Sequence, residues 1–112
     1  MADREGHDRM NGIQSEIIDD MLHITMPRVL DIPAAADLKD IVLEMVEPEM
    51  AVSIQSADVE QMTTPGIQVL LAVAAYIDHR KAKLKVVKPS EVFINGFSDL
   101  GLFSHLMAWN VE

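Results

Sequence analysis

The sequence predicts an α/β domain, a single mixed sheet of four to five strands covered by helices. Short segments with β-strand patterning alternate with longer segments of helical periodicity, and capping or turn residues separate them. The chain has 112 residues, of which 49% are hydrophobic and 24% charged, as expected of one globular domain.

The N-terminal residues 1–14 are polar and lack periodicity, which predicts a flexible tail before a folded domain at residues 15–112. Gln14–Ile18 is the first predicted strand, and the Asp19-Asp20 turn joins it to a second strand. The second strand has the period-two pattern of a sheet with one buried face, with apolar side chains at Leu22, Ile24 and Met26.

Three helices are predicted, over residues 34–47, 66–80 and 90–100. Asp31 is the expected N-cap of the first helix, and Pro33 is tolerated in its first turn. The apolar stripe of this helix consists of Leu38, Ile41, Val42 and Met45. The remaining strands are Met50–Ile54 and Leu84–Val87, and the last segment, Leu102–Trp109, fits either a short helix or a strand.

Composition argues against several classes of function. The net charge of −9 disfavours nucleic acid as a partner, because phosphates need compensating cations. Cysteine is absent, the four histidines lack metal-ligand spacing, and there is no glycine-rich phosphate loop. We therefore expect no catalytic residue, metal or cofactor, and no enzyme. No apolar run reaches the roughly 18 residues needed to span a bilayer, so we expect a cytoplasmic protein without membrane insertion.

Five of the nine basic residues lie within one short segment, at Arg80, Lys81, Lys83, Lys85 and Lys88. The rest of the chain carries four basic against eighteen acidic residues, a net charge of −14. The segment is interpreted either as a solvated edge strand, kept soluble by its lysines, or as a docking strip for an acidic partner.

The turn Met62–Gly66 and the apolar helix after it carry most of the functional information. The segment Val59–Ala72 reads Val-Glu-Gln-Met-Thr-Thr-Pro-Gly-Ile-Gln-Val-Leu-Leu-Ala. It resembles the signature of the STAS domains, the fold of bacterial anti-sigma factor antagonists, in which a strand leads through an Asp-Ser-Ser-Gly turn into an apolar helix. Gly66 matches the family glycine, and Thr64 matches the serine that a partner kinase phosphorylates. Further stretches resemble family landmarks in the same order, namely Leu30-Asp31, Val87–Ser90 and Leu100–Phe103.

Three positions depart from the family pattern. Thr63 stands where the family has the turn aspartate, Pro65 where it has the second serine, and Gln55 where it has a strand-borne aspartate. In the regulated antagonists these acids help the kinase to recognise the site, so their loss predicts a constitutive binder or a different kinase. The run Gly-Ile-Gln-Val-Leu-Leu is similar to that of STAS proteins encoded beside chemotaxis kinases.

The resemblance implies a non-catalytic signalling module that binds an anti-sigma factor or serine kinase through the turn at Thr63–Gly66 and the following helix. An adaptor for a chemotaxis histidine kinase and a STAS subunit of a lipid-transport ATPase complex are the alternatives. Thr64 is the phosphorylation candidate, with Thr63 as the second. The alternative interpretation is that Thr64 is a plain helix N-cap with Pro65 at N1.

The expected partner-binding residues are Asp31, Met62, Thr63, Thr64, Pro65, Gly66, Val69, Val73 and Tyr76. Gly66 is expected to open the backbone of the turn to a partner. Helical spacing directs one apolar stripe of the second helix to the sheet and leaves a second, partly exposed strip at Val69, Ala72, Val73 and Tyr76. Either a partner covers this strip, or Val73 and Tyr76 pack under the third helix.

Overall fold

The computed structural model of the chain describes residues 6–8 and 12–112. Its strands, in chain order, are β1 (Gly6–Asp8), β2 (Gln14–Ile18), β3 (Met21–Thr25), β4 (Val29–Leu30), β5 (Ala51–Gln55), β6 (Gln61–Met62) and β7 (Lys83–Val87). Its helices are α1 (Ile32–Met45), α2 (Thr64–His79), α3 (Glu91–Asp99) and α4 (Phe103–Met107).

Five of these strands form one mixed sheet in the order β1-β2-β3-β5-β7. β3, β5 and β7 are parallel, because α1 and α2 carry the chain back across the sheet between them. β2 and β3 form an antiparallel hairpin, whose two turn residues Asp19 and Asp20 have φ angles of 52° and 66°. These left-handed angles fit the right-handed twist of the hairpin, and aspartate tolerates them. The predicted α/β class and mixed sheet are confirmed.

Strand register separates the two faces of the sheet. Leu22 lies beside Val52, and Ile24 beside Ile54, so that the apolar side chains of β3 and β5 share one face. They form a single buried core with the inward residues of the helices. The opposite face carries a polar row across four strands, made of Glu16, His23, Ser53 and Lys85. The helices therefore cover one face of the sheet.

The three long helices lie close to their predicted positions, each with boundaries shifted by one or two residues. The last segment was predicted to be either a short helix or a strand. The structure shows a short helix, α4, followed by one bridge from Val111 to Val86. This bridge partly covers the edge strand β7, where Lys85 also lies 3.5 Å from the carboxylate of Glu112. The basic segment thus follows an edge of the sheet, as one of its two interpretations expects.

The tail predicted for residues 1–14 lies largely outside the described residues. Within that range, Gly6–Asp8 pairs antiparallel with β2, and Gln14 begins β2 itself. Ile13 is fully buried in the core. Part of the predicted tail is thus a strand, β1, because the outer edge of β2 offers backbone N–H and C=O groups to another strand. For residues 1–5 and 9–11 the tail stays a prediction.

An aromatic cluster joins the C-terminal segment to α3. The Phe97 ring lies 5.2 Å from the ring of Phe93 and 5.4 Å from that of Trp109, which it meets edge to face. Phe93 and Phe97 are fully buried. Such pairs add about 0.5–1.5 kcal/mol beyond the area they bury, so the cluster stabilises the junction between α3 and the chain end.

Replacing Phe97 with alanine should destabilise the fold by about 3–5 kcal/mol, because it leaves a cavity beneath the indole. Urea unfolding monitored by the fluorescence of Trp109, the only tryptophan, measures this. Phe103→Ala is the control, since the Phe103 side chain is 46% exposed. Equal losses in the two variants would contradict the packing described for Phe97.

Candidate protein-binding site

Two short strands hold the starts of α1 and α2 side by side. β4 pairs in parallel with β6, with Val29 opposite Gln61 and Leu30 opposite Met62. β4 leads into α1, and β6 leads into α2. The N-termini of both helices therefore lie at one edge of the domain, beyond the carboxyl ends of β3 and β5. This edge contains the turn Met62–Gly66, which is predicted to bind a partner.

The carbonyl oxygen of Leu30 lies at the centre of this edge. It accepts hydrogen bonds from the Thr63 backbone N–H at 3.0 Å and from the Thr63 hydroxyl at 3.3 Å. A Cβ atom added to Gly66 would lie only 2.5 Å from the same oxygen. Glycine is needed at this position because α2 approaches the Leu30 backbone so closely.

Gly66 is buried in this contact, which differs from the expectation that it opens the backbone to a partner. The physical reason is the pairing of β4 with β6, which places the Leu30 peptide against the first turn of α2. Gly66 thus shapes the site from beneath and offers little surface to a partner.

Thr63, not Thr64, is the N-cap of α2. Its backbone is extended, and its Oγ1 accepts a hydrogen bond from the Gly66 N–H at 3.1 Å. Thr64 and Pro65 are the first two helical residues, so the interpretation with Thr64 as cap and Pro65 at N1 is wrong. The helix begins one residue earlier than that interpretation requires. Thr63 follows β6 and lies against Leu30, and from there its hydroxyl reaches the Gly66 N–H, which needs an acceptor in the first turn of the helix.

The two threonines therefore have different surroundings. The Thr63 hydroxyl is half-buried and engaged as both donor and acceptor. Thr64 is exposed at the first position of α2, beside the exposed ring of Pro65. Of the two hydroxyl groups, that of Thr64 is the one that an approaching protein reaches without breaking the helix cap.

Asp31 occupies the equivalent place at the start of α1. Its carboxylate accepts a hydrogen bond from the Ala34 N–H at 3.1 Å, which confirms the predicted N-cap. The next residue, Ile32, is 61% exposed, and Val29 of β4 is 38% exposed. Apolar surface thus lies beside polar caps at this edge, a mixture typical of protein interfaces.

A cleft of about 650 Å³ lies next to the two short strands. Its charged lining residues are Arg28, Asp31, Asp58 and Glu60. Arg28 and Glu60 form an ion pair of 3.1 Å at the surface, which stabilises the fold little because both side chains are largely exposed. Three carboxylates against one guanidinium give the cleft a negative charge, and a basic surface complements it.

The start of α3 lies near the same edge. Ser90 caps α3 by accepting from the Phe93 N–H at 3.0 Å, and its hydroxyl donates to the Val59 carbonyl oxygen at 2.7 Å. Met62 is half-buried, and its sulfur would lie 3.2 Å from a Cβ placed on Gly96 of α3. Met62 therefore fills the space between the turn and α3.

Gln55, which stands where the family has an aspartate, ends β5. Its side-chain amide donates to the Ser53 hydroxyl at 2.6 Å, two residues earlier on the same strand. The side-chain amide of Gln55 is thus held by a residue of the same strand.

The predicted strip on α2 faces α1. Val69 and Tyr76 are half-buried, Ala72 is exposed, and Val73 is buried at 3% exposure. These four residues line a small cavity together with Lys39, Val42 and Leu43 of α1. The strip is therefore partly exposed, as predicted, and it lies beside α1, so Val73 and Tyr76 do not pack under α3. Val73 in particular belongs to the core.

The structure thus groups the predicted site residues in two places. Asp31, Thr63, Thr64 and Pro65 lie at the edge where the helices begin, and Val69 and Tyr76 lie on the side of α2 that faces α1. Two exposed apolar residues of α1, Ile32 at 61% and Leu43 at 53% exposure, were not among the predicted site residues. Both are apolar residues outside the stripe at Leu38, Ile41, Val42 and Met45. An apolar residue outside the core-facing stripe of a helix is the sequence signal that identifies them.

Within residues 6–8 and 12–112, no cluster of three or more histidine, aspartate or glutamate side chains has a geometry that would hold a metal ion. No helix in this described part is long and apolar enough to cross a membrane.

Comparison with solved structures finds a similar fold in the anti-sigma factor antagonist SpoIIAA in its unphosphorylated form. The TM-score is 0.63 and the sequence identity 16%, over 90% of this chain and 86% of that one. No family model matches the sequence, and neither does any curated protein. At this identity the likeness is one of fold, and it confirms that the chain has the STAS fold that the sequence predicted.

The close approach at Gly66 predicts an unequal effect of two glycine substitutions. In a helix, alanine is favoured over glycine by about 1 kcal/mol. Gly66→Ala should nevertheless destabilise the fold by about 1–3 kcal/mol, because the new methyl group meets a backbone oxygen. Gly96→Ala is the matched control, since its methyl would meet the movable side chains of Met62 and Ile67. Thermal unfolding of both variants tests this, and a loss at position 96 that equals the loss at 66 would contradict it.

The assignment of the cap predicts that Thr63→Ala lowers the free energy of unfolding by about 1 kcal/mol. Thr64→Ala should change it by less than about 0.5 kcal/mol, as is usual for an exposed position. Chemical denaturation of the two variants measures the difference. The reverse order of effects would restore Thr64 as the N-cap.

Proposed function

We propose that this chain is a non-catalytic regulatory module that binds an anti-sigma factor or serine kinase in the cytoplasm. The binding surface is the edge formed by Asp31, Thr63, Thr64 and Pro65. The observation that carries the proposal is the exposed Thr64 hydroxyl, which lies at the start of α2 between the Thr63 cap and the buried Gly66. The fold shared with an anti-sigma factor antagonist supports the same class of function.

Rigidity favours a binding role for this edge. Thr63 and Gly66 both lie against the Leu30 carbonyl, and Asp31 caps the helix that follows Leu30. The backbone of this surface is already ordered, so this chain loses little conformational entropy when a partner docks.

Phosphorylation of Thr64 would act as a switch through charge. A phosphate adds about −1.5 to −2 charges at neutral pH. Beneath a docked partner this group would lose its hydration, and the cost of removing such a charge from water opposes docking. A negative group is also favourable at a helix N-terminus, so the domain itself stays folded. The modification therefore weakens the interface and leaves the fold intact.

The neutral side chains at positions 55 and 63 favour a partner kinase different from that of the regulated antagonists. Thr63 is needed as the helix cap, and Gln55 is held by Ser53. Neither residue offers the carboxylate that a kinase of that type recognises. This supports the second candidate, an adaptor for a chemotaxis histidine kinase, because relaxed turns of this kind resemble those of STAS proteins encoded beside such kinases.

The proposal predicts that Thr64→Asp weakens partner binding at least about tenfold, or about 1.4 kcal/mol. Thr64→Ala should preserve it, because the hydroxyl is not the helix cap. Isothermal titration calorimetry with the anti-sigma factors, serine kinases and chemotaxis histidine kinase of the source organism measures both effects and identifies the partner.

Circular dichroism of both variants provides the control, since each should keep the melting temperature of the unmodified chain. Equal binding by Thr64→Asp and Thr64→Ala to a confirmed partner would remove the switch. Failure of every such protein to bind the unmodified chain would refute the proposed class of partner. Copurification with a transport ATPase would favour the third alternative.

A further inference from the structure

We infer that the open face of the sheet, the face opposite the core, binds a second copy of this chain through a two-fold axis. The helices pack against the other face, where they form the core with the inward side chains of the strands. The inference goes beyond the proposed function and does not depend on it, because Thr64 begins a helix of that other layer.

Strand register arranges the side chains of the open face in three rows that cross the sheet from β2 to β7. The row nearest the hairpin turn between β2 and β3 consists of Ile18, Met21, Ala51 and Lys83. The middle row consists of Glu16, His23, Ser53 and Lys85. The third row consists of Gln14, Thr25, Gln55 and Val87. The face therefore combines one mainly apolar row with two polar rows.

Charges of opposite sign lie on opposite sides of this face. Glu16 is exposed on β2, and its row ends at Lys85 on β7, three strand spacings or about 14 Å away. Lys83 is a second exposed ammonium on β7, whereas Asp19 and Asp20 follow β2 in the hairpin turn. An acidic partner would be repelled on the β2 side and a basic partner on the β7 side, so neither matches the whole face.

A second copy matches the face when it is turned about a two-fold axis that runs parallel to the strands between β3 and β5. This rotation places β2 of one copy over β7 of the other and keeps each row at its own level. Glu16 then lies opposite Lys85 of the second copy, and the same ion pair forms twice, as in any two-fold interface. Sheets that stack face to face in this way lie about 10 Å apart, with strands aligned to within about 30°.

Lys85 is available for this ion pair although it already lies near one carboxylate. The oxygen of Glu112 is 3.5 Å from the Lys85 ammonium, and 34% of the Lys85 side chain is exposed. An ammonium group has three donors. Lys85 can therefore bind Glu112 of its own chain and Glu16 of the second copy together.

The row nearest the hairpin turn provides an apolar contact. Ile18 is 46% exposed on β2, and the rotation places it opposite Lys83 of the second copy. Lys83 lines a cavity of about 310 Å³ between the sheet and the C-terminal residues. Its apolar lining includes Met21, Ala51, Leu84 and Val111. A protein cavity of about 150 Å³ accommodates benzene, so this cavity has room for an isoleucine side chain.

Size and net charge limit the strength of the dimer. Four strands of five residues span about 19 Å by 17 Å, whereas a stable interface buries about 800 Å² per copy. Each copy also has a net charge of −9, so two copies repel at long range. Salt at about 0.15 M screens this repulsion beyond about 8 Å and weakens contacting ion pairs less. The dimer is therefore reversible, with a dissociation constant between about 1 μM and 1 mM.

Sedimentation equilibrium of the full chain in about 0.15 M salt, at up to about 1 mM protein, measures this dimer. Glu16→Lys and Lys85→Glu each replace two attractive contacts with two repulsive ones. Each should raise the dissociation constant at least about tenfold. An equimolar mixture of the two variants should dimerise like the unmodified chain, because the mixed dimer has opposite charges at both contacts.

Three further variants separate the open face from net charge, folding and the Thr64 switch. Lys39→Glu changes the net charge by the same amount as Lys85→Glu, but Lys39 is exposed on α1, so the dissociation constant should not change. Ile18→Ala leaves the charge unaltered and should weaken the dimer at least about tenfold, because two buried isoleucine contacts are lost. Thr64→Asp should leave the dimer unchanged. Circular dichroism checks that each variant is folded.

Several results would overturn the inference. A monomer at every concentration would do so, as would equal dissociation constants for the unmodified chain, Glu16→Lys and Lys85→Glu. A mixture of these two folded variants that stays monomeric would exclude the two-fold pairing. Equal weakening by Lys39→Glu and Lys85→Glu would assign the effect to net charge. Failure of the Thr64 switch would leave the dimer unaffected, so the two proposals fail separately.

Discussion

The hydrogen bonds that the Leu30 carbonyl oxygen accepts from Thr63 are the contact on which the candidate site depends. They join the starts of two helices that follow different strands of the sheet. The pairing of β4 with β6 aligns these groups, and Gly66 lets α2 come close enough to make the contact. Without it, Asp31 and Thr64 would sit on two independent loops, and the edge would not be a single surface.

This arrangement separates the roles of neighbouring residues. Thr63 and Gly66 hold the turn together, whereas Thr64 and Pro65 face outward. A group added to Thr64 therefore changes the charge of the surface without breaking the cap of α2. The separation would let the proposed switch act through the charge of the surface while the cap of α2 stays intact.

The sequence by itself determined the order and type of the main elements, because local patterns decide them. The aspartates of the hairpin turn, the alternation in β3 and the caps at Asp31 and Ser90 act within a few residues of the chain. The tertiary structure decided what the site residues do. Thr63 became the cap, and Gly66 was buried, because Leu30 is distant in sequence and meets them only after β4 pairs with β6. Val73 entered the core because α1 packs against it, and helical periodicity within α2 contains no information about which neighbouring helix lies on which side.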